Sequence, residues 1–182
     1  MDLEEQGSIQ RLVEGGERER MVVLLGTPTA GSTMMVALTL THGNSFGAQV
    51  TVNGLGLVLG HGMSRFEPRP GLPNSVAPRK RPLHNMCPMV ALRGGKPVLA
   101  IGGAGGRRIV NSVLEVLARW AGRGESIADA LAGPRLQTDG SRTLALDAKW
   151  PESHREHLRG IGYTLGAGAA AASVTTVECA PP

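Results

Sequence analysis

Residues 89–120 read MVALRGGKPVLAIGGAGGRRIVNSVLEVLARW, and the fold is decided by how this stretch is punctuated. Residues 89–92 are apolar and short enough for a strand, Gly94 and Gly95 supply a turn, and residues 97–101 read as a second strand. The run Gly102-Gly103-Ala104-Gly105-Gly106 then opens a helix. In that helix Ile109, Val113, Leu117 and Trp120 recur at helical spacing, and Val110, Leu114 and Val116 widen the apolar stripe. Strands followed at once by an amphipathic helix imply a helix laid on a sheet.

Upstream, residues 21–25 form a short apolar run that reads as a buried strand, and residues 26–31 form a turn. Residues 34–41 (MMVALTLT) read as the next strand. Residues 50–52 and 56–59 give two more strand signals around the hairpin turn Asn53-Gly54. Residues 64–88 form a long proline-dense loop, and a loop of that length between strands favours a functional role. Downstream, the helix stops near Gly122. Ser126 caps a second helix reaching residue 131, which Gly133-Pro134 ends. Residues 143–146 read as a strand. Residues 151–159 form a third helix, with Pro151 in its first turn and Gly160 as its C-terminal cap. Residues 173–178 are the last strand. The order predicts an α+β fold with helices packed on a largely antiparallel sheet.

The length of 182 residues suits one domain. Residues 1–33 are expected to be a divergent or disordered lead-in plus the first strand, and residues 34–182 the domain itself. Hydrophobic residues are 41% of the chain and aromatics only 3%, so the core must be aliphatic. The formal charge is +4. The only short basic runs, Arg79-Lys80-Arg81 and Arg107-Arg108, have no aromatic neighbours, so no nucleic-acid partner is expected. Cys87 and Cys179 are far apart and form no CxxC pair, so two free thiols are the default. The first twenty residues are charged and no apolar stretch could span a bilayer; no signal peptide, no membrane partner and a cytoplasmic location are expected.

A strand that ends in glycines and opens a helix presents backbone N–H groups that can hold a carboxylate, a phosphate or a developing oxyanion. The same run could equally be a glycine-rich turn without a ligand. The dinucleotide pattern Gly-x-Gly-x-x-Gly fails, because counting from Gly103 puts Arg108 in the last place; no Walker lysine follows either. His154 and His157 share a helix face without a third ligand nearby in sequence, and His42, His61 and His84 are scattered through loops. No metal and no cofactor are expected.

Several motifs then occur in order. Ala37-Leu38-Thr39-Leu40-Thr41-His42-Gly43 is followed by Phe46-Gly47. Gly56 to Phe66 (GLVLGHGMSRF) has its companion Pro70-Gly71-Leu72-Pro73-Asn74. Lys80-Arg81-Pro82-Leu83-His84-Asn85-Met86-Cys87-Pro88, Gly105-Gly106-Arg107-Arg108-Ile109, Gly133-Pro134-Arg135-Leu136-Gln137 and Gly162-Tyr163 complete the set. Together they resemble the small-subunit region of the γ-glutamyltransferase (γ-glutamyltranspeptidase, glutathione hydrolase) family of N-terminal-nucleophile hydrolases.

The resemblance implies the small-subunit half of a four-layer αββα sandwich. It also implies an amidohydrolase or acyltransferase that cleaves γ-glutamyl or related acyl amides and passes the acyl group to water or an amine. The family cuts its own precursor to expose a threonine whose α-amine serves as base, and a large subunit completes the site. A large-subunit-like chain or a second copy is therefore the expected partner. By this resemblance Thr39 orients the nucleophile, and Gly105 and Gly106 supply the oxyanion hole. The substrate positions depart from the family pattern. Thr41 stands where an asparagine, and Arg65 where an aspartate, would grip an α-amino group; His84 and Asn85 replace a serine pair that holds the α-carboxylate. An arginine repels an ammonium and attracts a carboxylate, so the acyl group is expected to carry a carboxylate or a neutral end.

The nucleophile is missing from its place. Counting back from the second strand puts the family's Thr-Thr-His at Val23, Leu24 and Leu25, and Thr27 and Thr29 lie in the turn. One explanation is that the chain has lost its nucleophile and is a non-catalytic anion-binding or structural remnant. The other is that its first thirty residues derive from a shifted reading frame or a wrong start. The abrupt loss of resemblance before Met34 favours the second. On either, the chain alone is expected to be inactive.

Overall fold

In the computed structural model of the chain, residues 20–25, 34–166 and 170–179 are described. The lead-in of residues 1–19, the turn at residues 26–31, and with it Thr27 and Thr29, lie outside the described residues. The elements run β1 (Arg20–Leu25), β2 (Met35–Leu40), β3 (Thr51–Val52), β4 (Leu57–Val58), β5 (Met89–Arg93), β6 (Lys96–Ala104), α1 (Ile109–Leu117), α2 (Ile127–Ala132), β7 (Leu136–Gln137), β8 (Thr143–Leu146), α3 (Glu152–Gly160), β9 (Thr164–Gly166) and β10 (Ser173–Glu178). A 3₁₀ turn at Gly62–Arg65 opens the proline-rich loop, another at Gly106–Arg108 leads into α1, and a π-helical turn at Ala118–Gly122 ends α1.

The centre is the three-stranded antiparallel sheet β10-β6-β5. Side chains alternate across β6. Leu99 and Ile101 face α1 and form one core with Ile109, Val113, Val116, Ala130 and Ala172. Each large side chain fully buried there contributes about 1.5–3 kcal/mol. Gly103 lies on the same face, where a Cβ would stand 3.4 Å from the Ile109 side chain. Toward its C-terminal end the opposite face of β6 carries the small residues Ala100, Gly102 and Ala104.

The hairpin of β1 and β2 packs on that small-residue face, touching β6 and also its neighbours β10 and β5. Small residues allow one backbone to approach another closely, which is why glycines are tolerated inside a central strand. The layers are therefore hairpin, sheet, then helices α1 and α2. With mostly antiparallel pairing this is the α+β class the sequence predicts. Thr39 shares the half-buried face of β2 with Met35 and Ala37, whereas Val36, Leu38 and Leu40 are exposed on the other face.

The structure corrects three local readings. The Gly102–Gly106 run is not all turn, since β6 continues through Gly102, Gly103 and Ala104, paired with Thr175, Val174 and Ser173. A second small sheet, β7-β8-β9, was not foreseen; β9 joins β8 in parallel. Pro151 caps α3 from outside rather than sitting in its first turn. The Ser126 cap of α2 is as expected, its Oγ accepting from Asp129 N at 3.1 Å. Among the described residues no helix is long and apolar enough to cross a membrane.

Candidate functional site

Two segments built by different parts of the chain carry the predicted site residues. The first is the end of β6. Gly105 and Gly106 both have positive φ, at 144° and 65°, so the chain leaves the strand by a conformation that side chains resist. Gly105 is also fixed by packing, because a Cβ there would stand 2.7 Å from the Cβ of Ala172. A Cβ on Gly106 would meet no atom within 4 Å. The backbone at Gly106 thus borders open space at the start of the 3₁₀ turn that leads into α1. Ala172 is held in turn by Ser112, whose buried Oγ accepts from Ala172 N at 3.0 Å.

β2 brings Thr39 onto the sheet that ends in these glycines. The Thr39 Oγ1 is buried and has no hydrogen-bond partner among the described residues. The strand register places Met21 opposite Thr39. That is two residues before the position obtained by counting back along the sequence, and β1, with the sequence RMVVLL, has no hydroxyl at either place.

The second segment is the loop structure after β2. Thr41 Oγ1 accepts from Gly43 N at 2.9 Å, so its hydroxyl shapes a turn. The chain then runs back beside residues 59–61: Ala48 N donates to Leu59 O and His61 N to His42 O, both at 2.8 Å. Gly47 fits only as glycine, since a Cβ would fall 2.2 Å from Leu59 O. Asn44 Nδ2 lies 2.8 Å from His61 Nδ1. This zipper ties Thr41 to the 3₁₀ turn that ends in Arg65.

Arg65 is half-buried, and its Nε has no hydrogen-bond partner among the described residues. Its carbonyl accepts from Asn74 Nδ2 at 2.7 Å, while Asn74 Oδ1 accepts from Leu83 N at 3.1 Å. The residue after Leu83 is His84, which is exposed, followed by half-buried Asn85. Sequence reasoning quoted Asn74 only as part of a motif; its part in joining these segments was missed. The short spacing of the PGLPN turn was the available signal. The predicted residues therefore lie in two parts of the fold: Thr39 on the strand that packs against β6, the strand leading to Gly105 and Gly106, and Thr41, Arg65, His84 and Asn85 along the loops after β2.

Away from these segments, half-buried Glu115 of α1 and buried Arg135 influence each other electrostatically. Burial raises the Glu115 carboxyl above its usual range, opposed by the Leu136 N–H and by Arg135 and Arg119. Burial also lowers the Arg135 guanidinium, opposed chiefly by Glu115. Arg135 donates to the carbonyls of Gly133 and Leu131 and so closes the end of α2, a structural task. Among the described residues no three His, Cys, Asp or Glu side chains converge to hold a metal ion.

The family model described as gamma-glutamyltranspeptidase matches residues 29–180. The chain belongs to the γ-glutamyltranspeptidase family. It is 31% identical over 132 residues to the glutathione hydrolase proenzyme of Bacillus subtilis, which covers 72% of this chain and 22% of that protein. It is 31% identical over 165 residues to the acylase ACY 1 proenzyme of Pseudomonas sp. strain SE83, covering 91% of this chain and 29% of that one. The chain thus spans under a third of the length of these relatives. Among solved structures, a mutant γ-glutamyltranspeptidase from Helicobacter pylori superposes with a TM-score of 0.75 at 25% identity, covering 91% of this chain and 92% of that one.

Proposed function

We propose that this chain is the acyl-holding half of an amidohydrolase or acyltransferase of the γ-glutamyltransferase type, inactive by itself. Its substrates would be γ-glutamyl or related acyl amides, and water or an amine would take the acyl group. The observation that carries this reading is the packing of β2, with its buried Thr39 hydroxyl, on the strand that ends at Gly105 and Gly106. In it, backbone N–H groups at the glycine pair hold the carbonyl oxygen as it gains charge, and Thr39 orients the attacking hydroxyl.

Arg65 supports a finer choice of substrate. A guanidinium whose buried Nε lacks an acceptor suits an acyl group ending in a carboxylate without a neighbouring ammonium, such as glutaryl. His84 and Asn85 would donate further hydrogen bonds to that end. A large-subunit-like chain is the proposed partner, supported by the exposed row Val36, Leu38 and Leu40 on the outer face of β2.

One observation favours a second reading. β1 has no hydroxyl opposite Thr39, as a non-catalytic anion-binding remnant of the family would have none. Release of p-nitroaniline from γ-glutamyl-p-nitroanilide and glutaryl-p-nitroanilide separates the two. The leading reading expects no release by the chain alone. It expects release once residues 1–20 are removed, Met21→Thr supplies a terminal hydroxyl, and a large-subunit chain of the family is added. Continued silence, with saturable anion binding that Gly106→Val abolishes in a folded protein, would replace it with the second.

A further inference from the structure

The proline-rich loop is held together by one side chain. Asn74 donates through Nδ2 to Arg65 O at 2.7 Å and accepts through Oδ1 from Leu83 N at 3.1 Å. Its own carbonyl accepts from Glu67 N at 2.9 Å. The two side-chain contacts join the segment that begins at Arg65 to the segment that leads to His84, and the carbonyl contact ties Asn74 to Glu67. The turn that presents Asn74 is itself fixed by Ser75, which is 6% exposed. Its Oγ donates to Arg69 O at 2.5 Å and accepts from Leu72 N at 2.8 Å.

An amide side chain is suited to this place because it both donates and accepts in one plane. No carboxylate can do both, and an aliphatic residue would leave the Arg65 carbonyl and the Leu83 N–H without these partners. The clip also bears on chemistry. Arg65 has its carbonyl pinned by Asn74 while its buried Nε awaits an acceptor. His84 follows directly on the Leu83 N–H that Asn74 accepts. The two groups that would grip the far end of an acyl chain are thus placed relative to each other by a residue that need not touch the ligand.

We propose that Asn74 is a positioning residue that sets the distance between Arg65 and His84, and with it the chain length of the carboxylate-ended acyl group accepted. The distance claim rests on the loop alone. The ligand claim rests on the substrate reading given above.

The test uses the full ¹⁵N-labelled chain and its Asn74→Ala and Asn74→Asp variants, with glutarate and succinate as probes. Asn74→Asp keeps the acceptor for Leu83 N and loses the donor to Arg65 O. In both variants the Leu83 amide region and the Arg65 and His84 resonances should move, while those of β6 and α1 stay in place. Glutarate affinity should fall about tenfold, the worth of one to two lost hydrogen bonds, and the preference between glutarate and succinate should narrow, with the melting temperature changed little. Unmoved Arg65 and His84 resonances would overturn the positioning role. Moved resonances with an unchanged glutarate-to-succinate ratio would overturn its part in chain-length choice. If the unaltered chain bound neither dicarboxylate, the substrate reading would fall, and the resonance shifts would still decide the clip.

Discussion

Thr39 stands opposite Met21 in the β1–β2 register, and its buried Oγ1 has no hydrogen-bond partner among the described residues. A buried hydroxyl without a partner costs stability, so it persists where something other than folding keeps it. Thr39→Val retains the shape and removes the polar atom. The variant should be more stable by about 1 kcal/mol, or about 2–4 °C in melting temperature. A variant that melts lower would mean that the hydroxyl already has a structural partner.

The approach of Gly105 to Ala172 predicts a large local cost. Gly105→Ala would force a Cβ to 2.7 Å from another at a φ of 144°, whereas Gly106→Ala meets open space and only a left-handed φ of 65°. Gly106→Ala should therefore lose about 1–2 kcal/mol, and Gly105→Ala clearly more. Urea denaturation of the two variants checks the order, and equal losses would contradict the packing argument.

Ser112 is fully buried and holds the backbone of the same segment through Ala172 N. Ser112→Ala leaves that amide without its acceptor inside the core, which should cost about 1–3 kcal/mol. Amide exchange at Ala172 should accelerate more than at Ile101.

Glu115 makes a pH prediction. Its folded value lies above its ordinary 4.5 because burial disfavours the charge. A carboxyl raised on folding contributes stability that is complete below the unfolded value and is lost as pH rises through the folded one. The unaltered chain should therefore lose stability relative to Glu115→Gln as pH climbs from about 4.5. Denaturation midpoints over a pH series measure this, and parallel curves would contradict it.

Much of this was legible in the sequence, for identifiable reasons. The stripe Ile109, Val113, Leu117 and Trp120 marks α1 because one face of that helix buries against β6. Strands β8 and β10 keep their sequence-predicted limits, β8 because bends at residues 139–142 and a turn at residues 148–149 bound it. The glycines of β6 misled, since both read as strand breakers, while Gly102 lies on the face that meets the hairpin and Gly103 on the face that meets Ile109 and Val113 of α1. Strands β7 and β9, of two and three residues, exist because of their neighbours and leave little local pattern. For the site, resemblance named the residues but could not show which of them meet. The joining of Arg65 to Leu83 through one amide is a tertiary fact, as is the register that sets Met21 rather than Val23 against Thr39.

The proposal at the centre is that a carboxylate-ended acyl group is held beside the glycine pair, where Gly106 borders open space and Gly105 packs on Ala172. Titrating the ¹⁵N-labelled chain with glutarate while following the Gly105 and Gly106 amides tests it most directly. The account predicts saturable shifts at both amides, accompanied by shifts at Arg65. Shifts confined to surface lysines and arginines elsewhere, with the two glycine amides unmoved at saturation, would contradict it.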